Sequence, residues 1–136
     1  MYSETKGETP MIHDLMYIEL KTGYADNGPA WIGYVKTSKS KKTLYFNDHA
    51  FQRHIGCGAN YIDVESGDEY WISGVKKHES NRHWAGTGKI MIDRRAVAEY
   101  LSIIAEDALP ANRFEVIDME DRFPIDRVRA FLNEKE

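Results

Sequence analysis

Residues 61–93 read YIDVESGDEYWISGVKKHESNRHWAGTGKIMID, and the way this stretch is read decides the fold. It opens as a hairpin: Ile62 and Val64 lead into Ser66-Gly67-Asp68, and Glu69-Tyr70-Trp71-Ile72 returns with aromatic and β-branched residues that suit a pleated strand. A two-residue turn at Gly67-Asp68 sets Val64 opposite Trp71, whereas a turn at Ser66-Gly67 sets Ile62 opposite Trp71. Residues 74–88 are mostly loop, and residues 89–92 form a further short strand. Asp93 follows as a helix N-cap, a carboxylate placed to accept from the next backbone amides.

Upstream of the hairpin, residues 16–20, 31–36 and 43–47 are strand candidates separated by Gly, Asn, Pro, Ser and Lys clusters. Residues 48–54 are expected to make a short helical turn anchored by Phe51, and Gly56-Cys57-Gly58-Ala59 a flexible link. Downstream, Val97, Tyr100, Leu101 and Ile104 recur at helical spacing, so a helix is expected from Arg94 to about Glu106. Residues 114–118 suit an edge strand with Phe114 and Val116 on one side. Pro124 suits the start of a second amphipathic helix, carried to the end of the chain by Ile125, Val128 and Leu132. Strands first and helices last point to an α+β fold: a small, strongly bent antiparallel sheet or SH3-like barrel followed by two C-terminal helices, without alternating βαβ units. Residues 1–15 read as a flexible tail, and residues 16–136 as a single domain.

The 136 residues are 42% hydrophobic and 29% charged, the balance of a globular chain able to bury an ordinary core. A lone cysteine, Cys57, precludes an internal disulfide and fits a reducing cytoplasm. No apolar run approaches the roughly 20 residues of a membrane span, and the first residues lack the pattern of a signal peptide. The net charge of −4 is unevenly spread: residues 1–30 carry −3, residues 31–93 carry +2 and residues 94–136 carry −3. That balance excludes a dedicated, strongly basic nucleic-acid protein and leaves room for a local basic patch.

His49, His54 and Cys57, with His78 or His83 added in space, are residue types that zinc prefers, but their spacing matches no paired zinc motif, so no metal is expected. Cys57 between two glycines lacks the signatures of catalytic cysteines. Gly86-Thr87-Gly88-Lys89 resembles a fragment of a phosphate loop, yet a strand follows it where a helix is required. More is carried by a surface. Trp31, Tyr34, Tyr45, Phe46, Phe51, Tyr61, Tyr70, Trp71 and Trp84 interleave with Lys36, Lys39, Lys41, Lys42, Arg53, Lys76, Lys77, Arg82 and Lys89. A strand turns alternate residues to opposite faces, so some of these rings face away from the core, where they can stack bases or anchor a protein. The expected binding residues are Trp84, Arg82, His83, Lys76, Lys77, Tyr70, Tyr45 and Lys41.

One set of residues extends from Tyr17-Ile18-Glu19-Leu20-Lys21 through Ile32-Gly33, Ser38, Thr43-Leu44-Tyr45 and Asn60-Tyr61-Ile62-Asp63-Val64-Glu65. It continues in Gly67, Glu69-Tyr70-Trp71-Ile72-Ser73-Gly74, Arg82, Gly88 and Ile92-Asp93. This set resembles a family of short bacterial proteins with a DVExGxEYWISG element, members of which are labelled 1-deoxy-D-xylulose-5-phosphate synthase. The likeness covers about residues 16–101 and implies a bacterial origin and a shared small fold. Thiamine diphosphate enzymes hold their cofactor with a GDG element; here Ser66-Gly67-Asp68-Glu69 stands without one, so the resemblance implies no cofactor and no activity.

The sequence therefore leads to the expectation of a non-enzymatic bacterial binding protein, engaging a protein or nucleoprotein partner through an aromatic and basic surface, with nucleic acid possible and no membrane. The alternative is a small hydrolase or transferase acting on a phosphorylated or nucleotide ligand through Cys57 or His83 near Lys76, Arg82 and Lys89.

Overall fold

In a computed structural model the chain is described over residues 13–21, 29–56, 58–75, 89–120 and 122–132. Strand β1 (His13–Lys21) is followed by β2 (Ala30–Thr37), β3 (Thr43–Phe46), β4 (His49–Gly56), β5 (Ala59–Asp63) and β6 (Glu69–Gly74). Each pairs antiparallel with the next, and β6 returns to β1, so these six strands close into a ring. Strand β7 (Ile90–Asp93) adds to β2 in parallel, and β8 (Phe114–Ile117) adds in parallel to β7. Between them lies α1 (Val97–Ile104); the short α2 (Ile125–Val128) comes last. The result is an eight-stranded sheet with two short C-terminal helices, of the α+β class.

The expected order of strands and helices stands, with five corrections. β1 starts at His13, so residues 13–15 belong to the sheet and not to a tail. Residues 48–54 are not helical. Asn47 and Asp48 both take positive φ, 48° and 72°, the geometry of a two-residue hairpin turn, which reverses the chain at once and sends residues 49–56 back as β4. The central hairpin has neither expected register: Tyr61 faces Tyr70 and Ile62 faces Glu69. Its loop is longer because Gly67, at φ 80°, lets its amide donate to the Asp63 carbonyl, and the Asp63 amide donates to the Asp68 carbonyl. β7, α1 and β8 form one parallel βαβ unit appended to the ring. Lastly, the second helix is brief: α2 passes into a 3₁₀ turn that ends at Phe131.

Asp93 caps the helical segment as expected, its side chain accepting from the Arg95 amide, although a 3₁₀ turn (Arg94–Ala96) precedes α1. β8 is an edge strand, also as expected.

Alternation along the strands builds three cores. Inside the ring lie Ile18, Val35, Leu44, Phe46, Phe51, Tyr70 and Ile72. On the outer face of β1 and β2, Tyr17, Ala30 and Ile32 pack with Ile90, Ile92, Tyr100 and Phe114, which fixes α1 and β8 against the ring. The Tyr34 hydroxyl donates to Glu99 at 2.7 Å and ties the same helix to β2. On the outer face of β3 and β4, Tyr45 and Ala50 are covered by Val128, Phe123, Ile125 and Leu132.

Gly33 has no room for a side chain. A Cβ there would stand 2.7 Å from Phe46 Cε1 and 2.9 Å from Met119 Sδ. Gly33→Ala is expected to cost about 1–3 kcal/mol through overpacking, measured as a lower urea midpoint with an unchanged slope.

Candidate functional site

The expected binding residues divide into three groups. Trp84, Arg82, His83, Lys76 and Lys77 lie outside the described residues, as do Cys57 and the glycine loop at 86–88. Tyr45 and Tyr70 are core residues, 1% and 6% exposed, and are not available as a contact surface. Lys41 is exposed, at the left-handed position (φ 68°) of the β2–β3 turn.

Tyr45 lies on the face opposite Leu44 and Phe46, as alternation along a strand requires, but that outer face is itself covered. The Phe123 ring meets Tyr45 edge-on at 6.4 Å, and Val128 is fully buried beside it. Phe46 and Phe51 are buried as well, and Trp31, Tyr34, Tyr61 and Trp71 are half-buried. The aromatic part of the expected surface is thus mostly core; the basic part is not. Lys39, Lys41, Lys42, Arg53 and Lys89 are exposed, while Lys36 lies over the Phe123 ring at 3.8 Å.

Topology gathers four of these cations at one end of the ring. β3 and β4 part at the Thr43–Gln52 pair, so the next positions are Lys42 on one side and Arg53 on the other. The turn before β3 is closed by hydrogen bonds from the Ser38 amide to Thr43 and from the Lys41 amide to Ser38, and it carries Lys39, Lys41 and Lys42 outward. On β4 the register slips between Arg53 and Gly56, a bulge that bends the strand and re-aims its side chains. There Ile55 is 99% exposed, and the Arg53 guanidinium sits over the Tyr61 ring at 5.6 Å. Arg53, His54, Ile55, Gly56, Ala59 and Asn60 line a shallow open groove. The Asn60 side chain holds the groove wall by donating to the Ile72 carbonyl and accepting from the Ile72 amide, both at 2.8 Å. His54 is held by Glu69 at 2.8 Å.

The opposite end, at the β3–β4 turn, is acidic and internally paired. Asp63, 3% exposed, accepts from His49 Nδ1 at 3.0 Å and from the amides of Glu65 and Ser66. Arg127 of α2 bonds both Asp48 and Glu65, and the Glu120 amide donates to Asn47 Oδ1. Behind His49 a cavity of about 20 Å³, room for one water, is lined by Trp31, Phe46, Phe51 and Tyr70.

The hydrogen bond to Asp63 raises the His49 pKa against the opposing effect of burial. Burial by itself would raise the Asp63 carboxyl, but the hydrogen bonds from His49 and from the two amides outweigh it and hold the carboxyl below its usual range. The stabilisation from a raised imidazole is complete below its unfolded value of 6.5 and is lost as pH rises through the folded value. That from the lowered carboxyl is present above 3.8 and is lost as pH falls through the folded value. Urea midpoints are therefore expected to fall as pH is raised above 6.5, and His49→Gln is expected to flatten that limb.

His49 and His54 do not converge. Five residues apart on one strand, they point to opposite faces, and each has its own carboxylate partner. Among the described residues, no three His, Cys, Asp or Glu side chains gather as metal ligands, and no helix is long and apolar enough to cross a membrane. Ile55 and Asn60 were missed from the sequence, which contains no signal for a bulge at that point. Asp63 was also missed, although an Asp two and three positions before free amides commonly caps a loop. No family model, curated protein or solved structure matches the chain.

Proposed function

We propose that this chain is a non-enzymatic binding protein that engages a protein or nucleoprotein partner through the rim at the Arg53 end of the ring. The observation that carries this reading is the exposure of Lys39, Lys41, Lys42 and Arg53 at the same end of the ring as the fully exposed Ile55. Such an arrangement, an apolar side chain sharing an end with long cations, has the composition of a contact patch, with an apolar anchor and a polar border. In this reading the ring serves as an SH3-like frame, a rigid barrel that presents loops and strand ends from its rim, and the protein works in a bacterial cytoplasm.

The test is capture from a bacterial lysate, with and without nuclease, by the wild-type chain and by the Lys41→Glu/Lys42→Glu/Arg53→Glu variant. All three side chains are exposed, so the variant is expected to fold, which its unfolding midpoint checks. The reading expects the captured partner to drop at least about tenfold in the variant, equivalent to 1.4 kcal/mol. A folded variant that retains the partner would exclude the rim. Loss of capture on nuclease treatment, with a steep fall in affinity as salt rises, would assign the partner as nucleoprotein.

A further inference from the structure

Resting on the reading above, the geometry points to a narrower partner: an acidic protein segment with an apolar residue at its centre, and not a nucleic acid. Binding of single-stranded nucleic acid without sequence preference relies on exposed aromatic faces on which bases stack. Among the described residues the rim offers none that is free. Tyr45, Phe46, Phe51 and Tyr70 are buried, and Tyr61 is half-buried with the Arg53 guanidinium over its ring. What the rim does offer is aliphatic. Ile55 is 99% exposed and borders a groove with Ala59, Gly56 and the stem of Arg53. An isoleucine cannot stack a base, but it gains by covering an apolar side chain from water.

Charge complementarity fixes the rest of the partner. Lys39, Lys41, Lys42 and Arg53 are exposed on this rim, and the nearby Glu69 carboxylate is already taken by His54 at 2.8 Å. The partner's apolar residue sits in the groove against Ile55 while flanking carboxylates meet Arg53 and the lysines of the β2–β3 turn. The cationic rim also opposes a second copy binding rim to rim, because like charges would face one another. A phosphate backbone is a poorer match: the chain carries −4 overall, so a long polyanion meets repulsion beyond the rim.

The experiment uses the full chain labelled with ¹⁵N and three probes: an acidic peptide with a central leucine, the same peptide with serine in place of leucine, and a single-stranded oligothymidylate. The leucine peptide is expected to bind and to shift the amides of residues 53–60, and both the serine peptide and the Ile55→Ser variant are expected to weaken binding at least about tenfold. Ile55→Ser changes only an exposed side chain, and its unfolding midpoint checks the fold. If the oligothymidylate binds as tightly as the leucine peptide and shifts the same amides, the partner class is overturned while the rim remains the contact surface. Equal binding of the leucine and serine peptides overturns the apolar anchor. If no peptide binds while the charge-reversed variant still loses its lysate partner, this inference alone fails. If that variant also keeps its partner, the underlying reading fails with it.

Discussion

Phe51→Ala is expected to lower the free energy of unfolding by about 3–5 kcal/mol, the largest single-residue effect in the ring. Phe51 is fully buried, its ring meeting Tyr70 edge-on at 4.7 Å and stacking on His49 at 6.0 Å with the planes 27° apart. It also lines the cavity behind His49, so truncation would enlarge an existing void, and a void that cannot collapse adds its own cost to the lost burial. The ring is closed by backbone pairing on all sides, which restricts the inward movement that relieves cavities elsewhere. Urea unfolding would measure the change as a lower midpoint at constant slope; a cost under about 1 kcal/mol would mean that Phe51 is not packed inside a closed ring.

Asp63→Ala is expected to cost about 2–4 kcal/mol, since hydrogen bonds to a charged group contribute about 1.5–3 kcal/mol and unsatisfied partners add to the loss. The buried carboxylate accepts from His49, from the Glu65 amide and from the Ser66 amide, and so holds both the β3–β4 turn and the loop before β6. Asp63→Asn keeps an acceptor for the amides and is expected to recover part of the loss. In both variants the His49 imidazole should titrate closer to its ordinary value of 6.5, because its largest raising influence is gone. An NMR titration that found His49 unchanged in Asp63→Asn would contradict this account of the pair.

The strand order could be read from the sequence because alternating apolar residues and turn residues are local signals. β2, β3, β6 and β7 stand close to where the pattern puts them. What failed was non-local or depended on backbone geometry. Asn47 was read as the end of a strand and Asp48 as the start of a helical turn anchored by Phe51, whereas two adjacent positive-φ residues demand a hairpin. Parallel pairing of β7 with β2 joins residues about 60 positions apart, a contact that no window of sequence contains. A strongly bent sheet or SH3-like barrel was expected, and six strands close into a ring; the expected surface required outward-facing rings to stay uncovered. Tyr45 faces outward as alternation requires, yet Phe123 and Val128 arrive from the far end of the chain to cover it. Of the expected basic residues that are described, Lys39, Lys41, Lys42, Arg53 and Lys89 are exposed, because lysines and arginines tend to stay in water whichever face they occupy.

The two ends of the ring differ in what they leave available. At the His49 end the charges are consumed internally, by Arg127 with Asp48 and Glu65 and by His49 with Asp63. At the Arg53 end, Lys39, Lys41 and Lys42 are exposed, and so is Ile55 on β4. The proposed recognition surface is the end whose charges are left exposed, and the paired end serves the fold. The most direct measurement compares partner capture by two folded variants, Lys41→Glu/Lys42→Glu/Arg53→Glu at one end and His49→Gln at the other. The account predicts loss of the partner in the first and wild-type capture in the second; retention in the first with loss in the second would contradict it.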